Sequence, residues 1–161
     1  MFVCGKSIAP GTGHEEGRKL LAEMYARYVG GEMPEIALGK RGKPYFVNSP
    51  WHFSISHSKA HVFCALSQKT IGIDAEELDR NIRPELAGKI LSPTELKQYE
   101  KAEDKHLALL TFWVLKEAQA KYTGEGLKGY PNHTEFTLTD PRVRQLQNCL
   151  VAVIEEEDHV I

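Results

Sequence analysis

The sequence predicts a mixed α+β domain, and three observations support this fold class. Apolar residues recur at helical spacing in two long stretches, from His14 to about Val29 and from Asp104 to about Thr123. Runs typical of strands, alternating or continuously apolar, lie at residues 51–58, 61–67, 70–76 and 149–154. With 161 residues, the chain is long enough for one compact domain or for two small halves that share a core.

Composition and charge narrow the class of protein. The chain is 42% hydrophobic and 26% charged, and its net charge of -2 offers no general attraction to nucleic acid or to an anionic membrane. No apolar run reaches the length of a membrane span, and the N-terminus lacks a signal-peptide pattern. Cys4, Cys64 and Cys149 lie far apart, as expected of reduced thiols. We therefore expect a cytoplasmic protein without nucleic-acid or membrane partners.

The N-terminal part combines an irregular lead-in, a helix and a basic turn. Residues 1–13 are rich in glycine and proline, and the helix that follows ends at Gly30-Gly31. Arg18 lies near the beginning of this helix, where a solvated face is the simpler interpretation. Residues 38–46 place three cations within four positions, an arrangement that can grip phosphate. The turn is not a Walker A loop, because the GK[ST] ending is missing.

A strand over residues 51–58 ends in the cluster Ser56-His57-Ser58. A hydrolase interpretation is weak, because adjacent strand residues face opposite ways and no GxSxG elbow is present. Serine and histidine are, however, good groups for binding phosphate. Residues 61–67 then turn at Gln68-Lys69 into residues 70–76, which predicts a hairpin.

The strand Ile71–Glu76 carries two carboxylates on one face, Asp74 and Glu76, and apolar residues on the other. Gly72 leaves room for something large to approach the backbone. Two carboxylates on one face repel each other unless a cation lies between them, and a hard dication with oxygen ligands is the usual solution. The alternative is a strand that runs into a solvated acidic loop, since two further acidic residues follow closely.

The C-terminal half contains further helices and strands. Residues 81–90 are predicted to be helical, and Ser92-Pro93-Thr94-Glu95 predicts the start of the next helix. Ser92 is its N-cap and Glu95 completes a capping box, which is a sufficient structural reason for this glutamate. Residues 134–139 and 149–154 are predicted to be the last strands.

The long second helix carries Trp113, Glu117 and Lys121 on one stripe, with Lys116 beside it. Glu117 and Lys121 are explained equally well as an exposed ion pair four residues apart. Trp113 on the same stripe favours a partly buried face instead. A buried glutamate requires a counter-charge or a metal ion.

Five motifs occur in order along the chain: GKPYF (42–46), FSISHS (53–58), IGIDAE (71–76), LSPTE (91–95) and FWVLKEAQAKYTGEGL (112–127). Together they resemble the Sfp-type 4′-phosphopantetheinyl transferase family, from about Arg18 to the last strand. The resemblance implies an α+β fold of two similar halves that form a pseudo-dimer, here residues 1–70 and 71–161 of a single domain. No internal repeat is visible in the sequence, so the two halves rest on the resemblance.

The resemblance also implies an activity. Members transfer 4′-phosphopantetheine from coenzyme A to a serine of an apo acyl or peptidyl carrier protein and release adenosine 3′,5′-bisphosphate. It implies that Asp74, Glu76 and Glu117 hold Mg²⁺, or Mn²⁺ in its place. Glu117, or a metal-bound water near it, is implied as the general base, and Lys121 as the residue that contacts phosphate and stabilises the leaving group.

Coenzyme A contacts carried over by position involve residues from both parts of the chain: Arg18, Lys43, Ser56, His57, Lys116 and Lys121. His57 and Arg18 are the expected ligands of the 3′-phosphate. The chain is shorter than typical two-lobed members, yet the motifs of both halves are present, so we expect a monomer. The carrier protein would serve fatty acid, polyketide or nonribosomal peptide synthesis.

Two other functions remain open from the sequence. One is a non-catalytic module of the same fold that binds coenzyme A or a carrier protein, although the intact acidic trio argues against it. The other is a metal-dependent phosphoesterase that uses the same trio on another anionic substrate and requires a positioned water nucleophile.

Overall fold

The computed structural model describes residues 1–126 and 134–158. The strands are β1 (Phe2–Ser7), β2 (Ile36–Leu38), β3 (Pro44–Phe46), β4 (His52–His57), β5 (His61–Ser67), β6 (Ile71–Glu77), β7 (Val143–Leu146) and β8 (Cys149–Glu155). The α-helices are α1 (Gly13–Tyr28), α2 (Ala87–Ile90), α3 (Pro93–Lys101) and α4 (Lys105–Thr123). This mixture confirms the predicted α+β class. Within the described ranges, none of the helices combines the length and the apolar character needed to cross a membrane.

Two three-stranded antiparallel sheets form the frame, with strand orders β1-β5-β4 and β6-β8-β7. In both sheets the first strand pairs with the last, and the last pairs with the strand before it. A long helix follows the first strand in each case, α1 in one and α4 in the other. This shared connectivity supports the pseudo-dimer of residues 1–70 and 71–161, which remains a prediction.

The apolar core lies in three layers. One cluster joins α1 to the first sheet and a second joins α4 to the second sheet. The third lies between the sheets and includes Phe63, Ile71, Ile73 and Val151. The apolar face of β6 therefore points towards the first sheet. Its other face, with both carboxylates, points towards α4.

Serine hydroxyls of β4 connect the two sheets. Ser54 Oγ accepts a hydrogen bond from the Ile73 N–H at 3.0 Å, and Ser56 Oγ accepts one from the Ala75 N–H at 3.0 Å. Because β6 is an edge strand of its sheet, these backbone donors would otherwise be buried without partners. The small polar residues of β4 thus satisfy the edge of β6.

The expected irregular lead-in is wrong. Phe2–Ser7 forms β1, which pairs with β5 along its whole length, from Phe2 opposite Leu66 to Ser7 opposite His61. Pro10 and Gly11 lie in the turn after the strand, whereas Gly5 lies within the strand, which is stabilised by its distant partner β5.

The predicted hairpin of residues 61–67 with residues 70–76 is also wrong. Both edges of β5 are occupied, one by β1 and the other by β4. The connection at Gln68-Lys69 therefore leads the chain into the other sheet, where β6 pairs with β8. The strands β5 and β6 face each other across the core instead of pairing.

Helix ends were predicted well where the local chemistry is complete. Both hydrogen bonds of the capping box at Ser92 and Glu95 are formed. The Asp104 side chain caps α4, and Gly124 ends it in the left-handed conformation with φ 74°. Residues 81–90 are helical only from Pro84 onwards, in a 3₁₀ turn that continues into α2.

The strand expected at residues 134–139 is absent from this described segment, and the strand β7 begins further on, at Val143. Leu127, the last residue of the motif over residues 112–127, lies outside the described residues.

We predict that Gly72→Ala destabilises the protein by about 1–3 kcal/mol, because a methyl group here must displace helix backbone. A Cβ at this position would lie 2.3 Å from Ala118 O and 2.4 Å from Tyr122 N of α4. Gly88→Ala is the matched control, since a Cβ there meets nothing within 4 Å. It is expected to be neutral or to stabilise by up to about 1 kcal/mol. Urea denaturation measures both, and equal stability of the two variants would contradict the close packing of α4 on β6.

Candidate active site

The acidic face of β6 lies against the stripe of α4 that contains Trp113, Glu117 and Lys121. The Trp113 Nε1–H donates to Glu76 Oε1 at 3.2 Å, and the Lys121 ammonium donates to Asp74 Oδ1 at 3.1 Å. The stripe is therefore half-buried, as the tryptophan indicated. The partner of Lys121 is Asp74 on the neighbouring strand β6. The helix stripe therefore faces the carboxylates of β6.

Asp74 is buried, with 5% of its surface exposed, whereas Glu76 and Glu117 are only partly buried. Its Oδ1 also accepts a hydrogen bond from Ser56 Oγ at 3.2 Å. Among the residues that the structure describes, its Oδ2 is the one buried side-chain oxygen or nitrogen without a hydrogen-bond partner. Burial raises the pKa of Asp74 to about 7; the Lys121 ammonium opposes this shift, while Glu76 and Glu117 increase it.

Glu76 and Glu117 lie close enough to Asp74 for their negative charges to raise its pKa. An Arg80 guanidinium nitrogen lies 2.6 Å from Glu76 Oε1, and the guanidinium also stacks over the Trp113 ring at 5.1 Å. Burial raises the pKa of Glu117, with Lys121 opposing and Glu76 reinforcing the shift. Arg80 was not singled out from the sequence, because it follows the strand in a turn and only the fold brings it to Glu76.

The donor set fits Mg²⁺. Within residues 1–126 and 134–158, no three histidine, cysteine or acidic side chains already converge as a metal cage. Mg²⁺ does not require such a cage, because it retains waters and uses one or two carboxylates together with substrate phosphates. The unpartnered Oδ2 of Asp74 and the repulsion among three carboxylates are what a hard dication would relieve. Asp74, Glu76 and Glu117 as the ligand set remain a prediction.

A cleft of about 330 Å³ opens beside Glu117 and Lys121. The strand β4 contributes one wall, and the basic turn after β2 contributes another with Arg41 and Lys43. Three cationic side chains therefore line the cleft, two from the turn and one from α4. Its charge suits an anionic ligand that reaches from the turn to Lys121 of α4.

The basic turn is attached to the C-terminal end of α4. The Lys43 ammonium donates to Tyr122 O at 3.1 Å, and the Arg41 guanidinium donates to Glu125 O. Cations are favourable at this end of a helix, where carbonyl groups lack partners. Burial lowers the pKa of Lys43. The structure thus brings Lys43 to the cleft, while its ammonium faces the helix end.

Ser56 and His57 have different surroundings. Ser56 is buried, and its hydroxyl bonds Asp74 and the β6 backbone. His57 is exposed at the end of β4, and its ring packs on Gly13, where a Cβ would lie 2.4 Å from the ring. Arg18 lies further along α1 and is half-buried. The His57 ring therefore lies against the beginning of α1, and Arg18 is a residue of the same helix.

Lys116 is not brought to the cleft. Its side chain is 2% exposed and lies 2.8 Å from Glu95 Oε1, in an ion pair whose other member is fully buried. Its ammonium also donates to Thr134 O at 3.3 Å. Glu95 Oε2 accepts from the Phe136 N–H at 2.8 Å. This placement favours a structural role for Lys116, and its contact with coenzyme A stays a prediction.

Known proteins match the part of the chain that builds this site. A protein-family model described as the 4′-phosphopantetheinyl transferase superfamily matches residues 70–158, which include β6 and α4. The chain belongs to this superfamily. The family resemblance inferred from the five motifs is thereby confirmed.

Curated relatives in the 4′-phosphopantetheinyl transferase superfamily agree with this assignment. A 4′-phosphopantetheinyl transferase of Bacillus subtilis is 34% identical over 119 residues, which are 69% of this chain and 51% of that protein. The 4′-phosphopantetheinyl transferase HetI of Nostoc sp. is 31% identical over 143 residues, 83% of this chain and 60% of the relative. Sfp of Bacillus subtilis strain 168 is 39% identical over 90 residues, 53% and 39% of the two chains. The chain spans about half the length of the curated relatives it matches.

For this superfamily member we predict that Asp74→Asn stabilises the metal-free protein at pH 8, on the order of a few kcal/mol. In the folded state the pKa of Asp74 is about 7, whereas the ordinary pKa of an aspartate is 3.8. The stability that protonated Asp74 contributes is therefore complete below about pH 4 and is lost as the pH rises through 7. At pH 5 the gain from Asp74→Asn should be small, because the wild-type carboxyl is already neutral.

Guanidinium denaturation in EDTA at both pH values measures this effect. Asp79→Asn is the matched control, because Asp79 is an exposed acidic residue of the same segment. A wild type that is more stable than Asp74→Asn at pH 8 would contradict the buried, uncompensated carboxylate.

We also predict that Lys116→Met lowers stability by about 3–5 kcal/mol, because it leaves the Glu95 charge buried. Lys19→Met is the control for an exposed pair, since Lys19 is 56% exposed and lies 3.3 Å from Glu15. This change should cost less than about 1 kcal/mol. Thermal and urea denaturation compare the two variants. A Lys116→Met protein of normal stability that binds coenzyme A weakly would instead favour direct ligand contact.

Proposed function

We propose that this chain transfers the 4′-phosphopantetheine group of coenzyme A to a serine of an apo acyl or peptidyl carrier protein. The reaction depends on Mg²⁺, or Mn²⁺ in its place, and releases adenosine 3′,5′-bisphosphate. The observation that carries the proposal is the buried Asp74 with its unpartnered Oδ2, next to Glu76 and Glu117 and beside a cationic cleft. Superfamily membership and the names of the relatives support the same activity.

Asp74, Glu76 and Glu117 would hold the metal ion. When bound, Mg²⁺ neutralises charge on the pyrophosphate of coenzyme A and on the phosphoryl group during transfer. The carboxylates are already set on rigid elements, two on β6 and one on α4. Without a metal ion, Lys121 and Arg80 balance part of the negative charge of Asp74 and Glu76.

Glu117 is the proposed general base. It would accept the hydroxyl proton of the carrier serine as the serine oxygen attacks the phosphorus that bears pantetheine. The bond from that phosphorus to the adenosine bisphosphate oxygen breaks, and the leaving group departs with the electron pair. Burial raises the pKa of Glu117, which makes its carboxylate a better proton acceptor.

Lys121 is the proposed cation for the leaving group. Its ammonium lies at the rim of the cleft, 3.1 Å from Asp74 Oδ1 and 3.4 Å from Ile55 O. A fixed ammonium at this point would stabilise the charge that develops on the departing phosphate oxygen. Lys121 is 33% exposed, so it can reach a ligand in the cleft.

The remaining coenzyme A contacts come from the other half of the chain. Lys43 and Arg41 line the cleft and would attract the anionic ligand. His57 and Arg18, both near the beginning of α1, are the proposed ligands of the 3′-phosphate. Ser56 would act through Asp74, because its hydroxyl bonds that carboxylate. We include in this proposal a cytoplasmic monomer without nucleic-acid or membrane partners, in keeping with the net charge of -2 and the separated cysteines.

A non-catalytic module that binds coenzyme A is the second candidate. The observation that favours it is the pairing of Asp74 with Lys121 and of Glu76 with Arg80, which balances part of the charge of the acidic strand without a metal ion. Such a module would bind coenzyme A and leave carrier proteins unmodified.

Intact-protein mass spectrometry distinguishes the two candidates. Apo acyl and peptidyl carrier proteins, incubated with the chain, coenzyme A and Mg²⁺, should gain the mass of one phosphopantetheine, and EDTA should prevent the gain. Glu117→Gln should slow the transfer by about 10²–10⁴-fold, the usual contribution of a general base. Glu103→Gln, an exposed glutamate before α4, is the control and should retain the wild-type rate.

Coenzyme A binding with no modification of any carrier would support the non-catalytic module. Wild-type transfer by Glu117→Gln would show that another group is the base.

A further inference from the structure

The turn between β4 and β5 is fastened to β6 by one carboxylate that the proposed mechanism does not use. Glu77 Oε1 accepts a hydrogen bond from the Ala60 N–H at 2.6 Å and another from Ser58 Oγ at 2.9 Å. His61 Nδ1 lies 3.4 Å from the same oxygen. Ser58 and Ala60 belong to the short connection that begins directly after His57, and His61 is the first residue of β5.

Glu77 is the last residue of β6, next to Glu76. Successive strand residues point to opposite faces, so Glu77 points away from α4 and towards the β4–β5 connection. The same strand end therefore presents one carboxylate to the candidate metal site and one to the turn. Any shift of the turn relative to β6 would have to break the contacts of Glu77.

His57 is held from two directions. On one side its ring packs on the backbone of Gly13 at the beginning of α1. On the other side the chain continues into Ser58, whose hydroxyl is bound to Glu77. Ser58 N–H also donates to His61 O at 2.8 Å, which closes the turn.

We propose that Glu77 is a positioning residue that holds the turn after His57 in place relative to β6, and thereby sets the preference for coenzyme A over dephospho-coenzyme A. This inference rests on the proposed function, in which His57 contacts the 3′-phosphate. Dephospho-coenzyme A lacks that phosphate. Its binding therefore depends on every other contact but not on the contact between His57 and the 3′-phosphate. Small displacements of a binding group are costly, because hydrogen bonds weaken steeply with distance and angle.

Steady-state kinetics with an apo carrier protein and Mg²⁺ test the inference. Glu77→Ala should raise the KM for coenzyme A by about five- to tenfold, because a shifted His57 weakens its hydrogen bond to the 3′-phosphate without removing it. Its kcat, and its KM for dephospho-coenzyme A, should stay within about twofold of wild type, since the acidic trio is untouched. Glu77→Gln retains an acceptor oxygen for Ala60 and Ser58 and should behave like the wild type. Asp79→Asn is the control for loss of a nearby negative charge.

A double-mutant cycle with His57→Ala separates positioning from a purely structural role. If Glu77 acts through His57, Glu77→Ala should add no further loss of coenzyme A affinity in the His57→Ala background. Equal losses for coenzyme A and dephospho-coenzyme A, or additive effects of the two substitutions, would overturn the inference.

The outcome is separable from that of the proposed function. If the wild type modifies no carrier, calorimetric binding of coenzyme A and dephospho-coenzyme A measures the same preference without catalysis. Ser58→Ala removes one donor to Glu77 and serves if Glu77→Ala does not fold; it should change the preference in the same direction. An unchanged preference in both variants would refute the role of Glu77.

Discussion

The close approach of α4 to β6 at Gly72 is the contact on which the candidate site depends. Because this residue has no side chain, the helix backbone lies directly on the strand and brings Trp113, Glu117 and Lys121 over its acidic face. Burial then raises the pKa of Asp74 and of Glu117 and so disfavours their charged forms. Lys121 and Arg80 offset only part of that cost, which leaves Asp74 Oδ2 without a partner within the described residues. A site that stays uncompensated in this way is suited to a cationic ligand.

The two sheets meet through polar contacts at the site and through an apolar cluster behind it. Ser56 bonds both the Ala75 N–H and Asp74, so the β4 wall of the cleft is linked directly to the acidic strand. Glu77 makes a second link at the end of the same strand. The phosphate-binding residues that we propose come mainly from the first sheet and its helix, whereas the acidic residues come from β6 and α4. Under this proposal the relative position of the two sheets matters for function, and the hydrogen bonds of Ser56 and Glu77 help to fix it.

Sequence patterns anticipated the features that depend on local chemistry. The helix over residues 105–123 begins at an aspartate cap and ends at a glycine, and the two faces of β6 follow from strand alternation. Long-range pairing was not visible: β1 depends on β5, and the expected hairpin fails because both edges of β5 are already occupied. Lys116 depends on distant contacts in a similar way, since its partner Glu95, and not its position beside Glu117, decides its burial. Strand alternation groups Asp74 with Glu76, whereas joining Glu117 to them rested on the family resemblance, and the trio as a ligand set stays a prediction.

Isothermal titration of coenzyme A into the wild type and Asp74→Asn, each with Mg²⁺ and with EDTA, tests the central claim most directly. If the uncompensated carboxylate at the β6–α4 contact is where metal and pyrophosphate are bound together, Mg²⁺ should strengthen coenzyme A binding by the wild type at pH 8. The same addition should have little effect on Asp74→Asn, because the variant lacks the charge that the ion neutralises. Equal coenzyme A affinity of the wild type in Mg²⁺ and in EDTA would contradict the account.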